Sequence, residues 1–274
     1  IGGPAILMEG CREVFLREDG AYTEHMEQAW RPDRQALGEI VSHLCQYSLY
    51  AYEDELRQGY ITIEGGHRVG IVGQAVQESV NSIRTIKHIS ALNIRVAHQI
   101  LGAATPVLPY VYRRGSMSNT LIVSPPGCGK TTLLRDLIRQ ISCGNAYGPA
   151  RTVGVVDERS EIAGCYMGQP QNDLGPRSDV LDACPKALGM MMLLRSMSPA
   201  VLAVDELGSG EEIRAVRMAA SCGVSLVATI HGMDMQDVQG KPGMGALLAE
   251  GIFICMLVLK RDRQGRCRVG QVLH

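Results

Sequence analysis

Residues 124–132 read Ser-Pro-Pro-Gly-Cys-Gly-Lys-Thr-Thr, directly after the apolar run Leu121-Ile122-Val123. This is the phosphate-binding loop pattern G-x-x-x-x-G-K-[ST], with Ser124 in place of its first glycine. No other segment of the chain constrains the fold so tightly. It requires a buried strand feeding a loop whose backbone N–H groups converge on an anion, and a helix whose positive N-terminus receives that anion. Gly127 and Gly129, which must approach phosphate closely, are both glycine, so Ser124 weakens the match little. The loop residues Ser124, Pro125, Pro126, Gly127, Cys128, Gly129, Lys130, Thr131 and Thr132 are therefore assigned to nucleotide binding. Lys130 is expected to reach the β- and γ-phosphates and the Thr131 hydroxyl to ligate Mg²⁺.

The surrounding pattern agrees. Strand-like runs at 120–123, 152–156, 200–204 and 225–230 alternate with helical stretches at 132–141, 183–197 and 211–221. The strands are nearly continuous in apolar residues, which predicts an α/β fold with a parallel sheet covered on both faces. A closing hairpin is expected from 252–259, a turn at Asp262 and 268–273. Before residue 103 the pattern differs. One amphipathic helix is predicted over 33–52, with Pro32 as its start signal, then a hairpin over 60–64 and 69–76 around Gly65-Gly66, and a strand over 86–96. The segment 103–118 contains Pro106, Pro109, Gly115 and two arginines without a clear period. We read residues 1–105 as a smaller α+β domain, 106–116 as a linker and 117–274 as the nucleotide domain.

Acidic strand ends narrow the chemistry. Ala200-Val201-Leu202-Ala203-Val204 ends in Asp205 and Glu206, where Asp205 can hold Mg²⁺ and Glu206 can act on the attacking water. An Asp-Glu pair at that place points to hydrolysis more than to transfer onto a second substrate. The chain has no guanine-reading Asn-Lys-x-Asp sequence, which disfavours a GTPase. Asp157 and Glu158 end the strand after the loop helix; Glu158 is either a second acid near the γ-phosphate or the partner of Arg159. Thr229 and His231 end the strand after Glu206. In a parallel sheet these carboxyl ends share one edge, where ligands bind. Glu206, Glu158 and His231 are the catalytic candidates, and Thr131 and Asp205 the metal candidates.

Charge and composition exclude several other functions. Lys+Arg 27 against Asp+Glu 28 gives a net charge of −1, so no global basic field draws a nucleic-acid backbone, and aromatic residues at 4% leave little for base stacking. Nine cysteines without a CxxC spacing predict reduced thiols in a cytoplasmic protein and neither zinc nor a disulfide framework. Apolar runs such as 252–259 are far shorter than the ~20 residues of a membrane helix. The first residue is Ile, which suggests that residue 1 is not the native start.

Taken together, the loop with its following Leu-Leu-Arg-Asp, Val-Val-Asp-Glu-Arg-Ser-Glu-Ile-Ala-Gly, Val-Asp-Glu-Leu-Gly, Ala-Thr-Ile-His-Gly and the earlier Gly-Tyr-Ile-Thr-Ile-Glu-Gly-Gly-His-Arg-Val-Gly resemble the stage III sporulation protein AA family over nearly the whole chain. That family is similar to the ATPases of type II and type IV secretion systems. The resemblance implies an N-terminal domain before a RecA-like P-loop motor, with its Walker A, acidic, Walker B and histidine boxes on 124–132, Asp157-Glu158, Asp205-Glu206 and Thr229/His231. It implies ATP and Mg²⁺ as ligands and a hexameric ring. It further implies a cytoplasmic, membrane-peripheral protein that docks on inner-membrane proteins of the channel between mother cell and forespore; the near-neutral charge weighs against a nucleic-acid partner. Asp205 departs from the secretion ATPases, which commonly have Gly there. A cation for the γ-phosphate is expected from a neighbour or from the N-terminal domain acting as a lid; Arg68, Arg84, Arg95, Arg214 and Arg217 are candidates, none assigned. Two other functions stay open: a nucleotide-gated assembly scaffold and a nucleic-acid-dependent ATPase.

Overall fold

Short runs of β-branched and aliphatic residues bounded by turn residues suit strands buried on both faces, and the computed structural model arranges them as one sheet in the second half of the chain. It describes residues 3–9, 12–48, 52–79, 82–262 and 267–274. Contacts divide the chain into two units, 1–97 and 98–274.

In the first unit, β1 (Ile6–Glu9), β2 (Arg12–Leu16) and β3 (Tyr22–Thr23) form a small antiparallel sheet that the sequence did not announce. Helix α1 (Arg34–Leu44) starts where the Asp33 carboxylate accepts the Ala36 N–H at 2.8 Å, and it buries Leu37 and Val41. The helix predicted to residue 52 ends at Leu44, because Gln46 and Tyr47 turn left-handed (φ 48° and 61°). Residues 49–51 lie outside the described residues, and the short α2 (Glu53–Arg57) follows. The expected hairpin and strand are present, the second and third strands longer than predicted: β4 (Tyr60–Ile63), β5 (His67–Ser79) and β6 (Ser82–Arg95) pair antiparallel in that order.

The second unit begins earlier than the sequence suggests. The stretch read as a linker forms a 3-10 turn (Thr105–Val107), the one-turn α3 (Leu108–Val111), and the strands β7 (Tyr112–Arg113) and β8 (Ser116–Met117). Ala104, Val107, Leu108, Val111, Tyr112 and Met117 belong to the core of this unit. Pro106 and Pro109 hid that helical spacing, yet each sits in the first turn of its helix, where a missing N–H costs nothing. The buried Asp136 accepts the Ala104 N–H at 2.8 Å and ties the segment down.

The sheet contains β9 (Thr120–Ser124), β10 (Val153–Asp157), β11 (Ser178–Asp182), β12 (Val201–Val204), β13 (Ser225–His231), β14 (Cys255–Arg261) and β15 (Cys267–Leu273), in the order β11-β10-β12-β13-β9-β14-β15. All neighbours are parallel except β14 and β15, the expected closing hairpin, whose turn 263–266 lies outside the described residues. Strand β11 was not expected; its Ser-Asp-Val-Leu-Asp sequence is half-buried at the edge and lacks an apolar run. The connecting helices are α4 (Lys130–Cys143), α5 (Lys186–Ser196), α6 (Gly210–Ser221), α7 (Met235–Gly240) and α8 (Met244–Ala249).

Alternate residues of the central strands feed two cores. Ile122, Val155, Ala203 and Val227 pack with Leu134, Leu137 and Ile141 of α4. Leu121, Val156, Val204 and Ala228 pack instead with the side of α5 and α6. Fully burying each large aliphatic side chain contributes roughly 1.5–3 kcal/mol, so the two-sided burial holds the strand ends that carry the polar residues. Gly189 lets α5 close on β10, since a Cβ there would lie 2.5 Å from Val156 Cγ1. Among the described residues no helix is long and apolar enough to cross a membrane, and the cysteines are free.

Candidate functional site

The phosphate loop sits at the carboxyl end of β9, near the middle of the sheet. Ser124 closes that strand and is buried. Pro125 is half-buried, Pro126, Gly127 and Gly129 are exposed, and Thr131 and Thr132 are half-buried at the start of α4. Gly129 caps α4 in the left-handed region (φ 81°) and Gly127 is also left-handed (φ 66°), a conformation side chains rarely adopt. The Arg261 guanidinium donates to the Gly127 carbonyl at 3.0 Å and braces the loop from β14. Burial, with a hydrogen bond to Cys267, pushes the Cys128 thiol up to about 11, so at neutral pH it is a packed thiol and not a nucleophile.

Lys130, Thr131, Asp205, Glu206, Thr229 and His231 meet at this edge. The Lys130 ammonium donates to Glu206 Oε1 and lies 3.8 Å from Asp205 Oδ1. His231 Nε2 lies 2.9 Å from the same Glu206 oxygen, while its enclosed Nδ1 makes no hydrogen bond. The Thr131 hydroxyl donates to Asp205 Oδ2 at 2.7 Å, and the Thr229 hydroxyl donates to Asp205 Oδ1. Burial raises the pKa of the Glu206 carboxyl, but the hydrogen bond and charge of Lys130, helped by His231 and Arg159, outweigh it and hold the group below the usual carboxylate range. It is ionised at neutral pH, as a proton acceptor must be.

Glu206 has left-handed backbone geometry (φ 57°), which costs about 1–3 kcal/mol for a non-glycine residue unless its surroundings fix it. They do so on both sides. Its N–H donates to Thr229 Oγ1 at 2.9 Å, and its carbonyl accepts from Lys186 Nζ at 2.8 Å.

The acidic end of β10 works differently. Asp157 is buried, and its carboxylate accepts the N–H groups of Glu161, Ile162 and Ala163 at 2.8, 2.9 and 2.8 Å. Burial pushes its carboxyl up to about 6 against the pull of those donors. Arg135 of α4 completes the loop by donating to the carbonyls of Ile162 and Glu161, both at 2.7 Å. Glu158 does not pair with Arg159. Its Oε2 lies 3.1 Å from Lys186 Nζ, while Arg159 reaches across to Glu206 Oε2 at 3.4 Å. Asp157, Glu158, Glu161, Lys186, Asp205 and Glu206 line a small cavity between the two strand ends.

Of the arginines considered as γ-phosphate cations, Arg214 and Arg217 pair with Glu211 and Glu250 at 3.7 and 2.7 Å, and Arg68 lies over the Tyr60 ring at 3.5 Å. Sequence reading missed Lys186 and Arg135. Neither belongs to a box, and only the fold brings them to the site. Thr131 Oγ1 and Asp205 Oδ2 lie 2.7 Å apart, and this pair of hard oxygens fits Mg²⁺, which usually takes one or two protein ligands besides phosphate and water.

Comparison with known proteins agrees with this architecture. Residues 1–272 match the model of the family described as Sporulation stage III, protein AA. Stage III sporulation protein AA of Bacillus subtilis is 49% identical over 224 residues, which cover 82% of this chain and 72% of that protein. In fold, the X-ray structure of the Legionella pneumophila ATPase DotB aligns with a TM-score of 0.62 at 15% identity, over 97% of this chain and 72% of its own. The crystal structure of the pilus retraction motor PilT with bound ADP aligns with a TM-score of 0.56 at 17% identity, over 94% and 74%. The fold is thus shared with these two proteins, a RecA-like α/β domain with a smaller N-terminal domain.

Proposed function

Since this chain belongs to the Sporulation stage III, protein AA family, we propose that it is an ATP-hydrolysing motor that energises the membrane channel between mother cell and forespore during endospore formation. The observation that carries the reading is the meeting of Lys130, Thr131, Asp205, Glu206 and His231 on one strand edge. In this reading Lys130 leaves Glu206 for the β- and γ-phosphates, while the loop N–H groups hold the triphosphate at the α4 N-terminus. Thr131 and Asp205 would hold Mg²⁺, which would supply positive charge to the triphosphate. Glu206, released from Lys130, orients a water and takes its proton as the water oxygen bonds to the γ-phosphorus. The bond from that phosphorus to the β,γ-bridging oxygen breaks, giving ADP and phosphate. His231 Nε2 holds the Glu206 carboxylate in line. Glu158 acts only through Lys186.

The chain would work as a hexameric ring in the cytoplasm, bound to the membrane through inner-membrane proteins of the sporulation channel and without nucleic acid. A shared fold with an ATPase and with a pilus motor that binds ADP supports this reading. The test is phosphate release by the full chain with Mg²⁺ and ATP, beside a direct ATP-binding measurement. A kcat of order 1 s⁻¹ or more is expected, within the ordinary enzyme range. Tight binding without turnover would replace the motor with a nucleotide-gated scaffold, and absence of binding would remove both.

A further inference from the structure

Lys186 is a nearly buried cation, its side chain 11% exposed, at the first position of α5. Its ammonium has three acceptors from three different elements. These are Glu158 Oε2 at 3.1 Å beyond β10, the Glu206 carbonyl at 2.8 Å beyond β12, and Glu212 Oε1 at 3.4 Å on α6. The other oxygen of Glu212 accepts the N–H groups of Gly208 and Ser209 at 2.7 and 3.1 Å, which closes the capping box of α6. The whole turn from Glu206 to Glu212 is therefore tied, directly or through Glu212, to one lysine.

That turn contains the left-handed Glu206, whose carboxylate must face the loop while its backbone holds a costly conformation. Thr229 fixes the N–H side of the residue and Lys186 the carbonyl side. Without the ammonium, the Glu206 carbonyl and the carboxylates of Glu158 and Glu212 lose their shared partner, and the two acids are left unneutralised in a partly buried site. The peptide after Glu206 then keeps only the bond from the Leu207 N–H to the Thr229 carbonyl, at 2.8 Å, and with its own carbonyl unpartnered it holds the Glu206 carboxylate less firmly.

We propose that Lys186 is the positioning residue of the site: it locks the Glu206 backbone and ties the acidic box to the Walker B turn, so that Glu158 influences hydrolysis only by holding Lys186. The proposal rests on the hydrolytic reading above, in which Glu206 handles the attacking water. It places no contact between Lys186 and nucleotide.

The test uses the full chain with Lys186→Met, which keeps length and removes charge, and Lys186→Arg, which keeps the charge and donors. Lys186→Met is expected to lower kcat about 10²-fold, the low end of what a positioned general base contributes, with KM for ATP within about threefold. Lys186→Arg is expected to recover most of that loss. In a Glu206→Gln background, adding Lys186→Met should slow turnover no further, because both changes remove the same function. A kcat within threefold of wild type, a matching rise in KM, or additive losses would overturn the proposal.

Amide exchange without nucleotide gives a readout that does not depend on turnover. Lys186→Met should speed exchange about tenfold or more at 205–209 and leave 130–141 unchanged, with Lys186→Arg restoring protection. Equal exchange at 205–209 would sink the positioning role. If wild type binds ATP without hydrolysing it, the motor reading fails, and the exchange result alone still decides the role of Lys186.

Discussion

The two acidic strand ends of the sheet carry the same residues, Asp then Glu after an apolar strand, and do different work. At the end of β12, Asp205 and Glu206 face outward to the phosphate loop and take Thr131, Lys130 and His231 as partners. At the end of β10, Asp157 turns inward to three backbone N–H groups and Glu158 turns sideways to Lys186. The difference lies in place and not in composition. Strands lie about 4.8 Å apart, so β12, two positions from β9, brings its acids to the loop, while β10 is one strand too far. The farther pair braces what the nearer pair uses.

The largest effect that would sharpen this contrast is on binding. Lys130→Ala removes the loop's ammonium, and ATP affinity measured by calorimetry should fall by about 10³-fold or more, beyond any change at the β10 end. Next comes the direct comparison. Glu206→Gln should bind ATP and hydrolyse it about 10²-fold or more slowly, whereas Glu158→Gln should lose no more than about tenfold. The reverse order in steady-state assays would move the base to the acidic box and break the comparison.

Asp157→Asn should leave turnover within about threefold at neutral pH and change the pH dependence of stability instead. With its folded pKa raised to about 6 from 3.8, Asp157 binds its proton more tightly folded than unfolded. Its contribution is therefore most favourable at low pH, declines as pH rises from about 4 to 6, and is flat above that. Urea unfolding of wild type and variant over that range should show wild type losing ground relative to the variant as pH rises. The smallest change is at the helix cap. Ser209→Ala deletes the 3.2 Å bond from the Glu212 N–H and should cost about 1 kcal/mol in thermal unfolding.

The sequence made the strand–loop–helix core legible because each central strand is continuous in apolar residues and the loop has a fixed chemical grammar. The positions of Lys130, Thr131, Asp205, Glu206 and His231 on one edge followed from parallel strand ends. What stayed hidden had no local signal. Proline masked the spacing of Val107, Leu108 and Val111, and the edge strand 178–182 has aspartates at two of its five positions and neither an apolar run nor alternation. Lys186 reads as an ordinary residue at a helix start; three acceptors distant in sequence define it. Of the two readings of Glu158, the pairing with Arg159 does not hold: in the turn after β10 Glu158 reaches Lys186 at the start of α5, and Arg159 reaches Glu206 beyond β12.

The contact between Lys130 and Glu206 has a thermodynamic consequence of its own. In the proposed function the carboxylate is an internal ligand on the ammonium that ATP would take, so substrate and side chain would compete for one cation. Apparent affinity for ATP is the intrinsic affinity reduced by the occupancy of that internal ligand. Removing the competitor should therefore tighten binding while chemistry slows, and in the intact chain the proton acceptor becomes free only when phosphate has displaced it.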